Sequence, residues 1–234
     1  MNYALITARK GSKGIKNKNL KKIGKISLIE RSIINAKKSN LFDKIFCTSD
    51  SKKILNISSK NKIISISRPN KISQDSSLSI DAVIHFYNFL KEKKIKLPEI
   101  VFLFQPTSPF IKKGTIDEMI NIYKKYPSTK SVISIYEVNN KYHYINQRKL
   151  EKNKTIKFLF EKERNKKVRR QDKPKVYVHG NLFSFKIKDL IKQNSITPKP
   201  IRSVELKNFY ECIDIDNHQD YELTKLIFDN FSID

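Results

Sequence analysis

The apolar positions of this chain follow two alternating rhythms. "NYALIT", "KIFCTS", "KIISIS", "EIVFLF" and "SVISIYE" are short, mostly apolar runs rich in β-branched and aromatic residues, as expected of strands buried on both faces. Between them lie "SLIERSIINAKKS", "SKKILNISSK", "SIDAVIHFYNFLKE" and "TIDEMINIYKKY", whose apolar residues recur at helical intervals. Ser27 with Glu30, and Thr115 with Glu118, have capping-box spacing and predict two helix starts. Strand and helix alternating four times predict a mostly parallel α/β sheet with helices on both faces. Beyond residue 137 the rhythm fails. Residues 138–175 are polar and rich in Tyr, Lys and Asn, with one strand-like run, "IKFLFE". "KVYVHGNLFSF" then reads as a strand, "IKDLIKQN" as a short helix, "FYECIDI" as a strand and "HQDYELTKLIFDNF" as a closing helix. With no internal repeat or linker, the chain reads as one domain, 1–234, carrying an inserted lobe at 138–186.

Ligands of open parallel sheets bind at the carboxyl ends of the strands, and the unusual polar residues fall there. Residues 9–19 follow the first strand, Asp50 ends the second, Arg68 the third, and Gln105 the fourth. Loops at the opposite edge, such as "SNLFD" and "KEKKIKLP", are plain solvated connections.

The first of the polar loops, in "ITARKGSKGIKNKNL", has no acidic residue. It is neither GxxxxGK[ST] nor GxGxxG. Its composition still suits a polyanion: glycines admit backbone N–H groups, Ser12 adds a donor, and Arg9, Lys13 and Lys18 add charge. A basic surface turn is the competing explanation. Near the other end, "ECIDIDNHQD" sets Asp214 and Asp216 two apart on an expected strand, hence on one face. Such a pair suits Mg²⁺, which takes oxygen ligands and shares them with phosphates; a polar strand end capped by Asn217 is the alternative. The four histidines are scattered without HExxH, and no GxSxG occurs, which disfavours zinc hydrolysis and acyl-enzyme chemistry. His85 is expected to pack.

Charge complicates this picture. With 48 Lys and Arg against 23 Asp and Glu, the formal net charge is +25, which raises the question of nucleic acid. A nucleic-acid footprint concentrates on one element, whereas these lysines run from end to end and accompany heavy use of Ile and Asn, as A/T-rich codons would produce. The densest stretch, 161–175, is mixed with acids. We therefore expect no nucleic-acid partner. Cys47 and Cys212 form no cluster, which suggests a reducing, cytoplasmic setting. No run approaches the roughly 20 apolar residues of a membrane span.

"ITARKGSKGIKNKNL", "TSD", "RP…QDSSLSI", "LFQPTSPF", "RRQDKP" and "IDID", in this order, resemble the acylneuraminate cytidylyltransferases (CMP-sialic acid synthetases), especially bacterial members acting on legionaminic-type nonulosonic acids. The resemblance implies a Rossmann-like fold of the nucleotide-sugar transferase kind and a homodimer assembled partly through the lobe. It implies Mg²⁺ as cofactor, with CTP and a nonulosonic acid as substrates. Arg9, Ser12, Lys13, Lys18 and Asn19 would hold the phosphates and ribose, and Arg68 and Ser79 the cytidine. Gln105 and Arg170 would face the sugar, and Asp214 and Asp216 the metal; Arg9, Lys18 and Asp216 would carry the catalysis. His179-Gly180-Asn181 departs from the family's usual Asn-Gly stretch, on the sugar side of the site.

Overall fold

A computed structural model describes residues 1–11, 14–167 and 169–231. β1 (Asn2–Thr7) is followed by the small hairpin of β2 (Lys22–Ile23) and β3 (Ile26–Ser27). Then come α1 (Leu28–Ser39), β4 (Lys44–Ser49), α2 (Lys52–Lys60), β5 (Ile64–Ser67), α3 (Ser79–Glu92), β6 (Ile100–Phe104), α4 (Lys113–Lys125) and β7 (Ser131–Glu137). The lobe holds β8 (Arg148–Leu150), β9 (Ile156–Phe158) and α5 (Glu161–Lys166). β10 (Tyr177–Lys186), α6 (Ile187–Gln193), β11 (Ile201–Glu205) and α7 (His218–Asn230) complete the chain.

Among the described residues the main sheet has seven strands in the order β11-β7-β10-β6-β1-β4-β5. β1 pairs in parallel with both β4 and β6, and β4 with β5. The chain therefore leaves β1 toward one side and later returns to its other side, which opens a crevice above the carboxyl end of β1. One face buries Ile29 and Ile33 of α1, Ile54 of α2 and Met119 of α4; the other buries Val83, Phe86 and Leu90 of α3 with Ile187 and Leu190 of α6. Both faces are thus covered, as the apolar strands require.

The capping box at α1 is formed: the Ser27 hydroxyl accepts from Glu30 N, and the Glu30 carboxylate accepts from Ser27 N at 2.8 Å. Ser27→Ala should cost about 1 kcal/mol, read as a melting temperature lower by roughly 2–4 °C. The second predicted box is absent. α4 begins earlier, with Lys112 as its cap, and the buried Thr115 hydroxyl turns to Glu211 Oε2 at 3.5 Å. A tertiary partner displaces the local one.

Three other expectations change. The lobe ends at 176, where Val138 N donates to Val176 O at 2.8 Å, because residues 177–186 form a main-sheet strand. β10 runs antiparallel between β6 and β7. A bulge interrupts it between His179 and Phe183, where Ser134 Oγ accepts from Asn181 N and Leu182 N at 2.9 Å each. Gly180 is required there, since a Cβ would lie 2.5 Å from Ser134 Oγ and 2.7 Å from Leu206. β11 is a strand that the apolar pattern did not announce. Finally, "FYECIDI" is not a strand. Phe209–Cys212 is a 3-10 turn whose rings pack on Phe231, and residues 213–216 are extended outside the sheet ladder, held by Ile215 N to Thr107 O at 2.9 Å.

Candidate active site

The loop after β1 is shaped by its own asparagines. Asn17 takes the left-handed conformation at φ 57°, opening a 3-10 turn over Lys18–Leu20. This turn buries Asn19, whose Nδ2 donates to Arg9 O at 2.9 Å. Lys10 N donates to Asp50 Oδ1 at 2.7 Å, so the end of β4 anchors the same stretch. The backbone around Arg9 is therefore fixed from both sides. Ser12 and Lys13 lie outside the described residues.

Hydrophobic contact brings the far end of the chain to this loop. Ile15 packs with Ile23, Leu28 and Ile215 in a small cluster of its own. Because residues 213–216 are extended, burying Ile215 turns Asp214 and Asp216 outward together. Gly14 lies directly on this segment: a Cβ there would stand 2.0 Å from the Asp216 carbonyl oxygen. Gly11, by contrast, faces open space. Lys18 Nζ completes the junction, donating to Ile215 O at 2.6 Å and Asp216 Oδ1 at 3.2 Å.

These elements line one cleft of about 280 Å³ at the carboxyl edge of the sheet. Arg9, Lys18 and Asn19 come from the β1 loop, Arg68 from the end of β5, Ser79 from the start of α3, and Gln105 from the end of β6. Asp214 and Asp216 close it on the remaining side. Arg68 is 8% exposed, and its Nε has no hydrogen-bond partner among the described residues. Burial pulls the Arg68 guanidinium below its ordinary pKa while Asp50 acts in the opposite direction. His85 stands close enough for Arg68 to reinforce burial in lowering its pKa, which leaves the ring neutral near pH 7.

Asp214 is held above the usual carboxylate range, first by desolvation, against hydrogen bonding from Thr107, and further by the negative charge of Asp216. An acid pair under mutual repulsion in a cleft invites a cation. Among the described residues no group of three or more His, Cys, Asp and Glu gathers, so the donor set is two carboxylates. That set fits Mg²⁺, which binds through one or two carboxylates and completes its shell with phosphate oxygens and water.

Arg170 is the exception among the sequence-derived candidates. It lines a second cavity with His143, Lys173 and Lys207 at the base of the lobe, and the fold does not bring it to the cleft of its own chain. Asp75 and Thr107 line the cleft and were not singled out from sequence. Both sit inside the stretches "QDSSLSI" and "QPTSP", so their position in those loops was the available signal. Cys47 is buried within β4, its thiol pushed up to about 11 by desolvation, and is inert.

Comparison with known proteins bears on the family and the fold. A CMP-N,N'-diacetyllegionaminic acid synthase from Legionella pneumophila is 27% identical over 97% of this chain and 95% of its own length. A pseudaminic acid cytidylyltransferase from Campylobacter jejuni is 26% identical over 97% and 96%. Among solved structures, CMP:2-keto-3-deoxy-manno-octonic acid synthetase complexed with CTP superposes with a TM-score of 0.70 at 12% identity, covering 97% of this chain and 98% of its own. The 4-diphosphocytidyl-2C-methyl-D-erythritol synthase of Anaerococcus prevotii does so at 0.62 and 14%, covering 98% of each. These two share the fold, a Rossmann-like, mostly parallel sheet. The cytidylyltransferase family model matches residues 3–228, and the chain belongs to the cytidylyltransferase family.

Proposed function

We propose that this protein transfers CMP from CTP to the anomeric hydroxyl of a nonulosonic acid and releases pyrophosphate. One observation carries the proposal: three cations from two loops, Arg9 and Lys18 after β1 and Arg68 after β5, line one cleft with the carboxylate pair Asp214 and Asp216. The names of the full-length relatives supply the substrate class.

In the reaction the sugar hydroxyl oxygen attacks the α-phosphorus in line. Its O–H bond breaks as the O–P bond forms, and the α-phosphorus loses its bridging oxygen to pyrophosphate. Such transfer needs positioning and charge rather than a nucleophilic side chain. Arg9 and Lys18 neutralise the phosphates and Asn19 keeps the loop around Arg9 in place; by their residue types, Ser12 and Lys13 of the same sequence stretch would add a hydroxyl donor and a charge. Arg68 and Ser79 take the cytidine end, Gln105 meets the sugar, and Asp216 accepts the hydroxyl proton. Asp214 and Asp216 would hold Mg²⁺, which when bound supplies charge neutralisation at the phosphates and the leaving group.

We further propose that two copies associate through the lobe. The β8–β9 hairpin is two-stranded and exposes Leu150 by 69% and Ile156 by 60%; apolar area of this kind on a bare hairpin calls for a partner. Association would also give Arg170 a cleft to serve, that of the second copy. The unpaired cysteines suit a cytoplasmic location; no helix among the described residues is long and apolar enough to cross a membrane.

Pyrophosphate release is expected with CTP plus a nonulosonic acid, and not with ATP, GTP or UTP, when each is tested against neuraminic, legionaminic, pseudaminic and Kdo acids. Arg9→Ala should abolish that release while the circular-dichroism spectrum stays native. Turnover confined to another nucleotide, or full activity of Arg9→Ala, would overturn the proposal.

A further inference from the structure

The cleft contains a carboxylate that a polyanion site does not obviously want. Arg9 Nη1 donates to Asp75 Oδ1 at 2.5 Å, the two side chains being 34% and 40% exposed. Asp75 belongs to the 68–78 loop and lines the same cleft, so the pair ties that loop to the β1 loop. Negative charge beside a triphosphate opposes binding by simple Coulomb repulsion. A partly exposed ion pair contributes no more than about 1 kcal/mol to the fold, so stability is a poor reason for its presence.

Geometry supplies a better reason. The Arg9 backbone is already fixed by Asn19 Nδ2 on its carbonyl and by the Lys10–Asp50 bond one residue on. What remains free is the long side chain, with several rotatable bonds. A guanidinium has five N–H donors in a rigid plane. The contact to Asp75 goes through one nitrogen only, Nη1, and sets the direction of the fork while the donors on Nη2 and Nε stay available for phosphate oxygens. Preorganised cations act on developing charge without reorganising at the moment of reaction.

We propose that Asp75 is a positioning residue, which aims the Arg9 guanidinium at the triphosphate and couples the 68–78 loop to the phosphate loop. This rests on the CTP assignment above and goes beyond it, since the role given to Asp75 is exerted through Arg9 and not by contact with substrate. It acts on the phosphates through Arg9, and it leaves the cytidine end untouched.

The consequence is selective. Asp75→Asn keeps the shape and removes the charge; titration calorimetry should show CTP binding about 10-fold weaker, the effect of losing an oriented charge-assisted contact of roughly 1.4 kcal/mol. CMP, lacking the β- and γ-phosphates, should bind as it does to the wild type. In the Arg9→Ala background, Asp75→Asn should change CTP affinity by less than twofold, and Asp75→Glu should recover part of the single-variant loss. Tighter CTP binding by Asp75→Asn would overturn the inference and make Asp75 a competitor for Arg9. Equal weakening of CTP and CMP would also overturn it, as a general loss of cleft structure. If the wild type fails to bind CTP, the nucleotide assignment itself falls, an outcome distinct from either.

Discussion

Gly14→Ala is expected to lower pyrophosphate release by about 100-fold, the effect of roughly 1 Å of misplacement at reacting groups. A Cβ at position 14 would stand 2.0 Å from the Asp216 carbonyl oxygen and 3.1 Å from its carbonyl carbon. Both are backbone atoms, so no side chain can swing aside. Either the β1 loop withdraws or residues 213–217 move, and in both cases Lys18 loses its present bonds to Ile215 and Asp216. The fold itself should suffer modestly, by about 1–3 kcal/mol as in other overpacked sites. Gly11→Ala is the control, since nothing lies within 4 Å of the added carbon, and its melting temperature should match the wild type. Equal pyrophosphate release by Gly14→Ala and wild type would show that the two loops do not need this contact. The glycine in the basic loop therefore serves a different end from the one its composition suggests. It lets the chain's two ends meet, and the acids meet the cations as a result.

Asp214→Asn should cut turnover by at least about 100-fold, the scale of losing a strong electrostatic contribution at the site. It should raise the melting temperature of the metal-free protein only slightly, because the Asp214 side chain is exposed and solvent screens its charge. The sign follows from linkage. Desolvation and Asp216 hold the folded-state pKa of Asp214 above its unfolded value. Relative to the charged form, the protonated group favours the fold, so this stabilisation is complete below the unfolded pKa and is lost as pH rises through the folded one. At neutral pH the carboxylate is charged at a cost that Asn does not incur. Metal binding needs that charged form, so the Mg²⁺ concentration for half-maximal rate should rise as pH falls, beginning above the pH of about 4 at which an ordinary carboxylate titrates. Thermal scans with and without Mg²⁺, and Mg²⁺ titrations at several pH values, read both effects. A variant that melts lower than wild type in the absence of metal would remove the argument that this carboxylate is held at a cost for function.

Much of the architecture was legible because its physical cause is local and periodic. The runs "NYALIT", "KIFCTS" and "EIVFLF" are apolar on both faces because both faces are covered, and the Ser27–Glu30 box formed where its spacing placed it. The errors fell where a tertiary contact outweighed a local preference. Thr115 has the spacing of a cap but turns to Glu211, and "FYECIDI" has strand composition but folds its rings onto Phe231. β11 was missed because "IRSVE" is a polar, largely exposed strand at the sheet edge, where no apolar run is required.

For the site, the sequence by itself determined which residue types stand at the carboxyl ends of the strands: the basic loop after β1, Arg68 after β5, Gln105 after β6, and a pair of acids two residues apart. Period and punctuation decide this, and both are written along the chain. Tertiary structure alone decided how those residues are used. Packing of Ile15 against Ile215, with no side chain on Gly14 to prevent it, brings residues 198 apart in sequence, Lys18 and Asp216, into an ion pair at 3.2 Å. The tertiary fold also put Asp75 on Arg9, 66 residues away, and set Arg170 in a second cavity. Contacts of that separation depend on how two distant surfaces fit, which no local pattern encodes.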